Sequence, residues 1–158
     1  MTGSETSRLL LLRGDSGSGK SSVAAGLRAR YGKGIALIDT VARYSLDQGF
    51  HVIVEGILNA ARYGAMLDAL FRDHRGASLA YYLDVPFEET LARHATRPSA
   101  ADFGEVEMRS WYRPLDLLPT VQEQIIPAAS SLSESVERIY GDARLPPPRT
   151  EGTWGRAM

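Results

Sequence analysis

The stretch Gly14-Asp15-Ser16-Gly17-Ser18-Gly19-Lys20-Ser21 fits the spacing G-x-x-x-x-G-K-[ST], and the apolar run Leu9-Leu10-Leu11-Leu12 leads into it. Ser22-Val23-Ala24-Ala25-Gly26-Leu27, on its far side, reads as a helix opening. A strand, a glycine loop and a helix in that order are the context this motif requires. The glycines let successive backbone N–H groups turn inward on an anion, and the helix N-terminus adds partial positive charge. Lys20 is then placed to reach the β- and γ-phosphates of a nucleotide, and the Ser21 hydroxyl to ligate Mg²⁺. The alternative is a chance glycine turn, and composition argues against it. Of 18 basic residues only Lys20 and Lys33 are lysine. A chain that otherwise selects arginine keeps lysine where a compact point charge is wanted.

Downstream, the periodicity alternates between strand and helix. Arg8–Arg13 reads as the first strand and Ser21–Arg30 as the first helix, while Gly34–Leu37 opens a second strand. Ile38–Gln48 carries Ile38, Val41, Ala42 and Leu46 on one helical face and stops at Gly49. His51–Gly56 is a buried strand ending in a carboxylate, followed by an amphipathic helix over Ala60–His74. Leu79–Val85 is a further strand, and Pro86 suits the start of the helix Phe87–Ala95. Glu105–Tyr112 predicts a short helix and Gln124–Ile126 a last strand, and Ser131 with Glu134 forms a capping box for a helix through Tyr140. Such alternation predicts a five-stranded parallel sheet with helices on both faces, a three-layer α/β sandwich, with ligands at the carboxyl ends of the strands.

A chain of 158 residues can bury one adequate core, and a net charge of −1 supplies no basic field for nucleic acid. There is no cysteine, which excludes disulfides and thiolate metal sites. No apolar stretch approaches spanning length and residues 1–8 are too polar for a secretion signal, so neither membrane nor nucleic acid is expected as a partner, and a cytoplasmic location is. A monomer or a homodimer fits equally.

Glu55, at the end of a Val-Ile-Val run on the active edge, either assists Mg²⁺ or accepts the proton of an attacking hydroxyl. Asp15 and Ser16 lie within the loop, where Asp15 has the option of touching substrate. His51, His74 and His94 are dispersed without metal-ligand spacing and read as structural or exposed. Trp111 and Tyr112 either wall a substrate pocket or pack the short helix.

Three stretches resemble the small P-loop kinases: the loop Gly14–Ser21, the strand end Val52-Ile53-Val54-Glu55-Gly56, and Tyr82-Leu83-Asp84-Val85-Pro86 with Thr90, Arg93 and Arg97 following. Ile53–Leu58 and Trp111-Tyr112-Arg113-Pro114-Leu115-Asp116 are similar to an actinobacterial group of the AAA-type small-kinase family. The resemblance implies ATP or GTP with Mg²⁺ as the bound species and a metabolite or antibiotic-like hydroxyl as acceptor. It implies a kinase domain over 1–141 and a helical lid over about 93–116; from Gly141 onward the run Pro146-Pro147-Pro148 and the low apolar content predict a mobile C-terminal tail over 142–158. It places Arg93 and Arg97, one helical turn apart, over the transferring phosphoryl, where arginine stabilises spreading negative charge. It gives Lys20, Glu55, Arg93 and Arg97 the catalytic roles. Gly14 to Ser21 with Ser22 hold phosphates, and Pro127-Ala128-Ala129-Ser130 meet the base. Arg109 and Arg113 are further candidates for phosphate or an acidic acceptor.

The chain departs from the resemblance beyond its second strand, where an acidic substrate-binding residue is expected. Leu37 runs at once into helix-like Ile38, leaving no turn for a parallel crossover. Either a substrate loop is missing from the sequence at this junction, or Asp39 or Glu55 supplies the base. Rival readings are a nucleotide hydrolase switching a protein partner and a module that only binds nucleotide.

Overall fold

Four consecutive leucines can be buried on both sides only in the middle of a covered sheet, and Leu9 to Leu12 lie there without exposure. The strand they form, β1 (Arg8–Gly14), pairs in parallel with β3 (His51–Glu55) on one side and β4 (Ala77–Asp84) on the other. β5 (Glu123–Pro127) extends the sheet beyond β4, and the three-residue β2 (Ile35–Leu37) adds a short edge beyond β3. The order is β2-β3-β1-β4-β5, parallel throughout. The computed structural model describes residues 1–31, 35–37, 41–96 and 102–145.

Side-chain alternation along the strands feeds two cores. Leu10, Leu12 and Ile53 pack under α1 (Lys20–Tyr31) and α6 (Leu132–Asp142), with Val23, Leu27, Val136 and Ile139. These helices approach so closely that a Cβ on Gly26 would lie 2.7 Å from Val136 Cγ2. Leu9, Leu11, Val52 and Val54 pack on the other face with Leu46 of α2 (Ala42–Asp47) and with Leu67 and Leu70 of α3 (Ala60–Asp73). Asn59 caps α3, its side chain accepting from Ala61 N and Arg62 N. Pro86 occupies the position before α4 (Phe87–Ala95) without a side-chain cap, and α5 (Glu105–Trp111) follows.

Most element boundaries fall within one or two residues of the sequence reading, and three departures matter for the fold. β4 starts at Ala77 rather than Leu79, because the whole of β1 from Arg8 onward pairs with it. α2 starts at Ala42, not Ile38, with Val41 as its cap. The Leu37–Ile38 junction and Asp39 lie outside the described residues. The expected tail from 142 is a packed extension as far as Leu145. Arg144 turns the chain at φ 47°, Arg8 Nε donates to Ala143 O at 2.9 Å, and Ala143 and Leu145 enter the α1–α6 core. Residues 146–158 lie outside the described residues.

The three histidines are structural. His51 accepts from Arg8 N and meets the Tyr31 hydroxyl, while His94 Nε2 donates to Phe103 O. Ser7 Oγ donates to Ser4 O, so His74 Nε2–H donates to Ser7 Oγ at 2.8 Å and Nδ1 accepts from Ser78 Oγ at 2.8 Å. Burial, and secondarily the Arg8 charge, hold the His74 imidazole below its ordinary pKa. The unfolded chain therefore binds the proton more readily, and this contribution to stability is lost as pH falls from about 6.5 through the folded value. Thermal melts across pH are expected to show a steeper acid decline for the wild-type chain than for His74→Gln; equal slopes would refute the assignment.

Candidate active site

The glycine loop sits at the carboxyl end of β1, between the ends of β3 and β4. Gly14, Gly17 and Gly19 have φ of 140°, 82° and 105°, which side chains with a Cβ rarely adopt. Space is also closed: a Cβ on Gly17 would lie 2.6 Å from Thr90 O of α4, and one on Gly14 would lie 2.6 Å from Leu83 O. Gly17→Ala is expected to destabilise the chain by about 1–3 kcal/mol and to weaken nucleotide binding. Melting together with nucleotide titration checks this, and unchanged values in both would contradict the packing described.

Lys20 is buried at the first position of α1, its Nζ donating to Asp15 O at 2.8 Å and Ser18 Oγ at 3.4 Å. The ammonium thus arches back over the loop. α1 carries no acidic residue in its own first turn. Ser21 Oγ donates to Glu55 Oε1 at 3.0 Å, bringing the end of β3 to the start of α1. These hard oxygens suit Mg²⁺, which needs few protein ligands because it keeps its waters. Among the described residues there is no cluster of three or more His, Cys, Asp or Glu able to hold a metal by itself.

From α4, Arg93 Nη1 donates to Ser18 O at 3.0 Å, and Arg93 pairs with Glu89 one turn back. Arg93, Ser18, Gly19 and Ser22 line a cavity of about 450 Å³ whose far wall is the β5–α6 turn, including Pro127 and Ala128. The structure therefore joins the glycine loop, Arg93 and the segment expected to meet the base around one space. Arg97 lies outside the described residues. Ser16 occupies the turn beside Gly17, away from the cavity lining.

Asp15 does not face an open substrate space. It is buried, with Oδ1 accepting from Arg113 N at 2.9 Å and Oδ2 facing the Tyr82 hydroxyl at 3.5 Å. Burial raises its pKa, and the Arg113 N–H partly opposes the rise. For Arg113, then, it is the backbone that meets the glycine loop; the guanidinium folds onto Ser110 O and Tyr112 O. Arg109 pairs with Glu105 and lies over the Phe87 ring. Neither guanidinium contacts the loop. Tyr112 packs edge-on against Phe87, and the half-exposed Trp111 against Phe103.

A buried ion cluster that no sequence motif marks lies beside the loop. Arg13 continues the Leu9–Leu11 face of β1 and is 0% exposed. Its Nη1 donates to both Glu123 oxygens at 2.9 and 2.7 Å, its Nη2 to Asp116 O at 2.7 Å and Oδ2 at 3.0 Å, and its Nε to Leu58 O at 3.0 Å. Asp116 Oδ2 also accepts from Ala60 N at 2.7 Å, and Glu123 Oε2 from Leu118 N at 2.7 Å. Leu58 and Leu115, adjoining these contacts, hold φ of 44° and 48°. Such left-handed backbone costs roughly 1–2 kcal/mol per non-glycine residue. The one available signal in the sequence was an arginine breaking an apolar strand, which must find acids.

The parallel sheet and the glycine loop on its carboxyl edge define an α/β P-loop fold. Solved structures similar to the chain include the Mycobacterium tuberculosis APS kinase in complex with AMPPNP and APS (TM-score 0.63, 16% identity, covering 85% of this chain and 96% of that one). A sugar kinase from Janibacter sp. HTCC2649 (TM-score 0.58, 17% identity, 88% and 95% covered) and a gluconokinase from Sinorhizobium meliloti 1021 (TM-score 0.52, 19% identity, 89% and 94% covered) are similar as well. No family model and no curated protein matches the sequence. No described helix is long and apolar enough to cross a membrane.

Proposed function

We propose that the chain is an ATP-dependent phosphotransferase that moves the γ-phosphoryl group to a hydroxyl of a small molecule, a metabolite or an antibiotic-like compound. The reading places it with the small AAA-type kinases of the actinobacterial group. The observation that carries it is the single cavity shared by Ser18, Gly19, Arg93 and the Pro127–Ala128 turn, with the Ser21–Glu55 contact on the same edge. Similar folds solved as kinases of a sugar, of gluconate and of APS support a small-molecule acceptor.

In this mechanism the loop amides and Lys20 hold the β- and γ-phosphates, and the Pro127–Ser130 turn holds the base. Ser21 and Glu55 would hold Mg²⁺, which when bound neutralises charge on the phosphates. The acceptor oxygen bonds to the γ-phosphorus as the bond to the β–γ bridging oxygen breaks, and ADP leaves. The acceptor proton passes to Glu55 or to water. Arg93, with Arg97, stabilises charge on the transferring group, and the segment 93–116 acts as the lid.

A second reading, nucleotide binding without efficient transfer, draws on the short interval between the end of β2 at Leu37 and the start of α2 at Ala42. An acceptor screen reading ADP release, with Lys20→Ala as control, separates the two. Acceptor-dependent release lost in the control is expected; nucleotide binding with no acceptor-dependent release would favour the second reading.

A further inference from the structure

Arg13 has no part in the reaction above, yet it is a fully buried cation where three motifs of the sequence meet. Its Nε holds Leu58 O, in the loop that follows Glu55, and its Nη2 holds Asp116, at the end of the Trp111–Asp116 segment. Gly14, the next residue, opens the phosphate loop. Asp15, one further on, receives Arg113 N–H from that same segment. Two independent ties thus run from the phosphate loop and its root to the chain immediately after α5. We propose that Arg13 is a positioning residue, coupling the occupied phosphate loop to α5 and holding the loop after Glu55 in register with it.

The inference rests on the nucleotide reading of the loop. Planarity is central to it: a guanidinium fork serves Glu123, Asp116 and Leu58 at once, whereas a lysine ammonium serves as a point charge. A purely structural ion cluster would hold the fold together without relaying nucleotide binding.

The test uses full-length chains carrying Trp154→Phe, which leaves Trp111 as the sole tryptophan of the 2 present. In this background Arg13 is compared with Arg13→Lys and with the combined Arg13→Met/Asp116→Asn/Glu123→Gln. The combined variant guards against misfolding, since neutral replacement of a whole buried ion cluster is commonly tolerated. AMPPNP with Mg²⁺ is titrated by calorimetry and by Trp111 fluorescence. In the background chain AMPPNP is expected to bind and to change Trp111 emission in step with the heat. In folded Arg13 variants the calorimetric Kd should stay within about twofold, because the cluster does not line the cavity, while the Trp111 change falls to less than half, the Asp15–Arg113 tie alone remaining. A Trp111 response of half or more in a folded variant overturns the proposal, as does bound AMPPNP that leaves Trp111 silent in the background chain. Failure of both variants to fold overturns it too, leaving Arg13 a purely structural ion. Absence of calorimetric binding in the background chain instead refutes the nucleotide reading, and the inference with it.

Discussion

Lys20→Ala is expected to lower acceptor phosphorylation by about a thousandfold, roughly 4 kcal/mol of transition-state stabilisation. The ammonium is buried, arched over the loop, and tethered by Asp15 O and Ser18 Oγ, so its charge acts in a weakly screened setting. Charge grows on the transferring oxygens as the bridging bond breaks, and the effect should therefore fall chiefly on kcat. Nucleotide affinity is expected to fall less, because loop amides and the α1 dipole continue to bind phosphate. Lys20→Arg should not restore turnover, since a planar fork cannot occupy the space of a compact ammonium. Retained kcat in the alanine variant, with the fold intact by melting, would remove the basis of the assignment.

Arg13→Met alone is expected to cost about 3–5 kcal/mol of folding stability, because it leaves buried carboxylates without a countercharge. Glu123 is 1% exposed in its side chain and Asp116 23%, so the former has almost no access to water. For a chain of this size the loss corresponds to a melting temperature lower by about 10 °C. Adding Asp116→Asn and Glu123→Gln removes the uncompensated charges and should restore most of the loss. Differential scanning calorimetry of the single and combined variants decides the point; equal melting of Arg13→Met and wild type would show that the cluster contributes nothing net.

The sheet was legible because its signals are local. Leu9–Leu12 before a glycine loop, and Val52–Val54 before Glu55, each mark a central strand by composition alone. The Ser131–Glu134 capping box was equally readable and is present, Ser131 Oγ accepting from Glu134 N and Glu134 Oε2 from Ser131 N. The convergence of Pro127 and Ala128 on Ser18 and Gly19 followed from parallel topology, which brings all carboxyl strand ends to one edge. The roles of Asp15, Arg13 and Arg113 were not legible, because each depends on a partner far along the chain. Arg113 lies 98 positions from Asp15 and Glu123 lies 110 from Arg13. A loop aspartate reads as available for substrate until the backbone that occupies it is seen. An arginine in Trp111–Asp116 reads as a phosphate ligand until its guanidinium is found folded on its own turn. The extension through Leu145 was missed because a following run of prolines suggested an end, although Ala143 and Leu145 are apolar and the α1 face was still uncovered.

The closeness of Gly26 to Val136 has a bearing on how the molecule is made. Half of its apolar interior is completed by α6, which leaves the ribosome only after all five strands. Until then Leu12, Val23 and Leu27 lack their cover, and the cavity beside the glycine loop lacks Leu132 and Ser135. A nascent chain therefore keeps one side of its leucine strand uncovered until the last helix docks, the stage at which it is most prone to association.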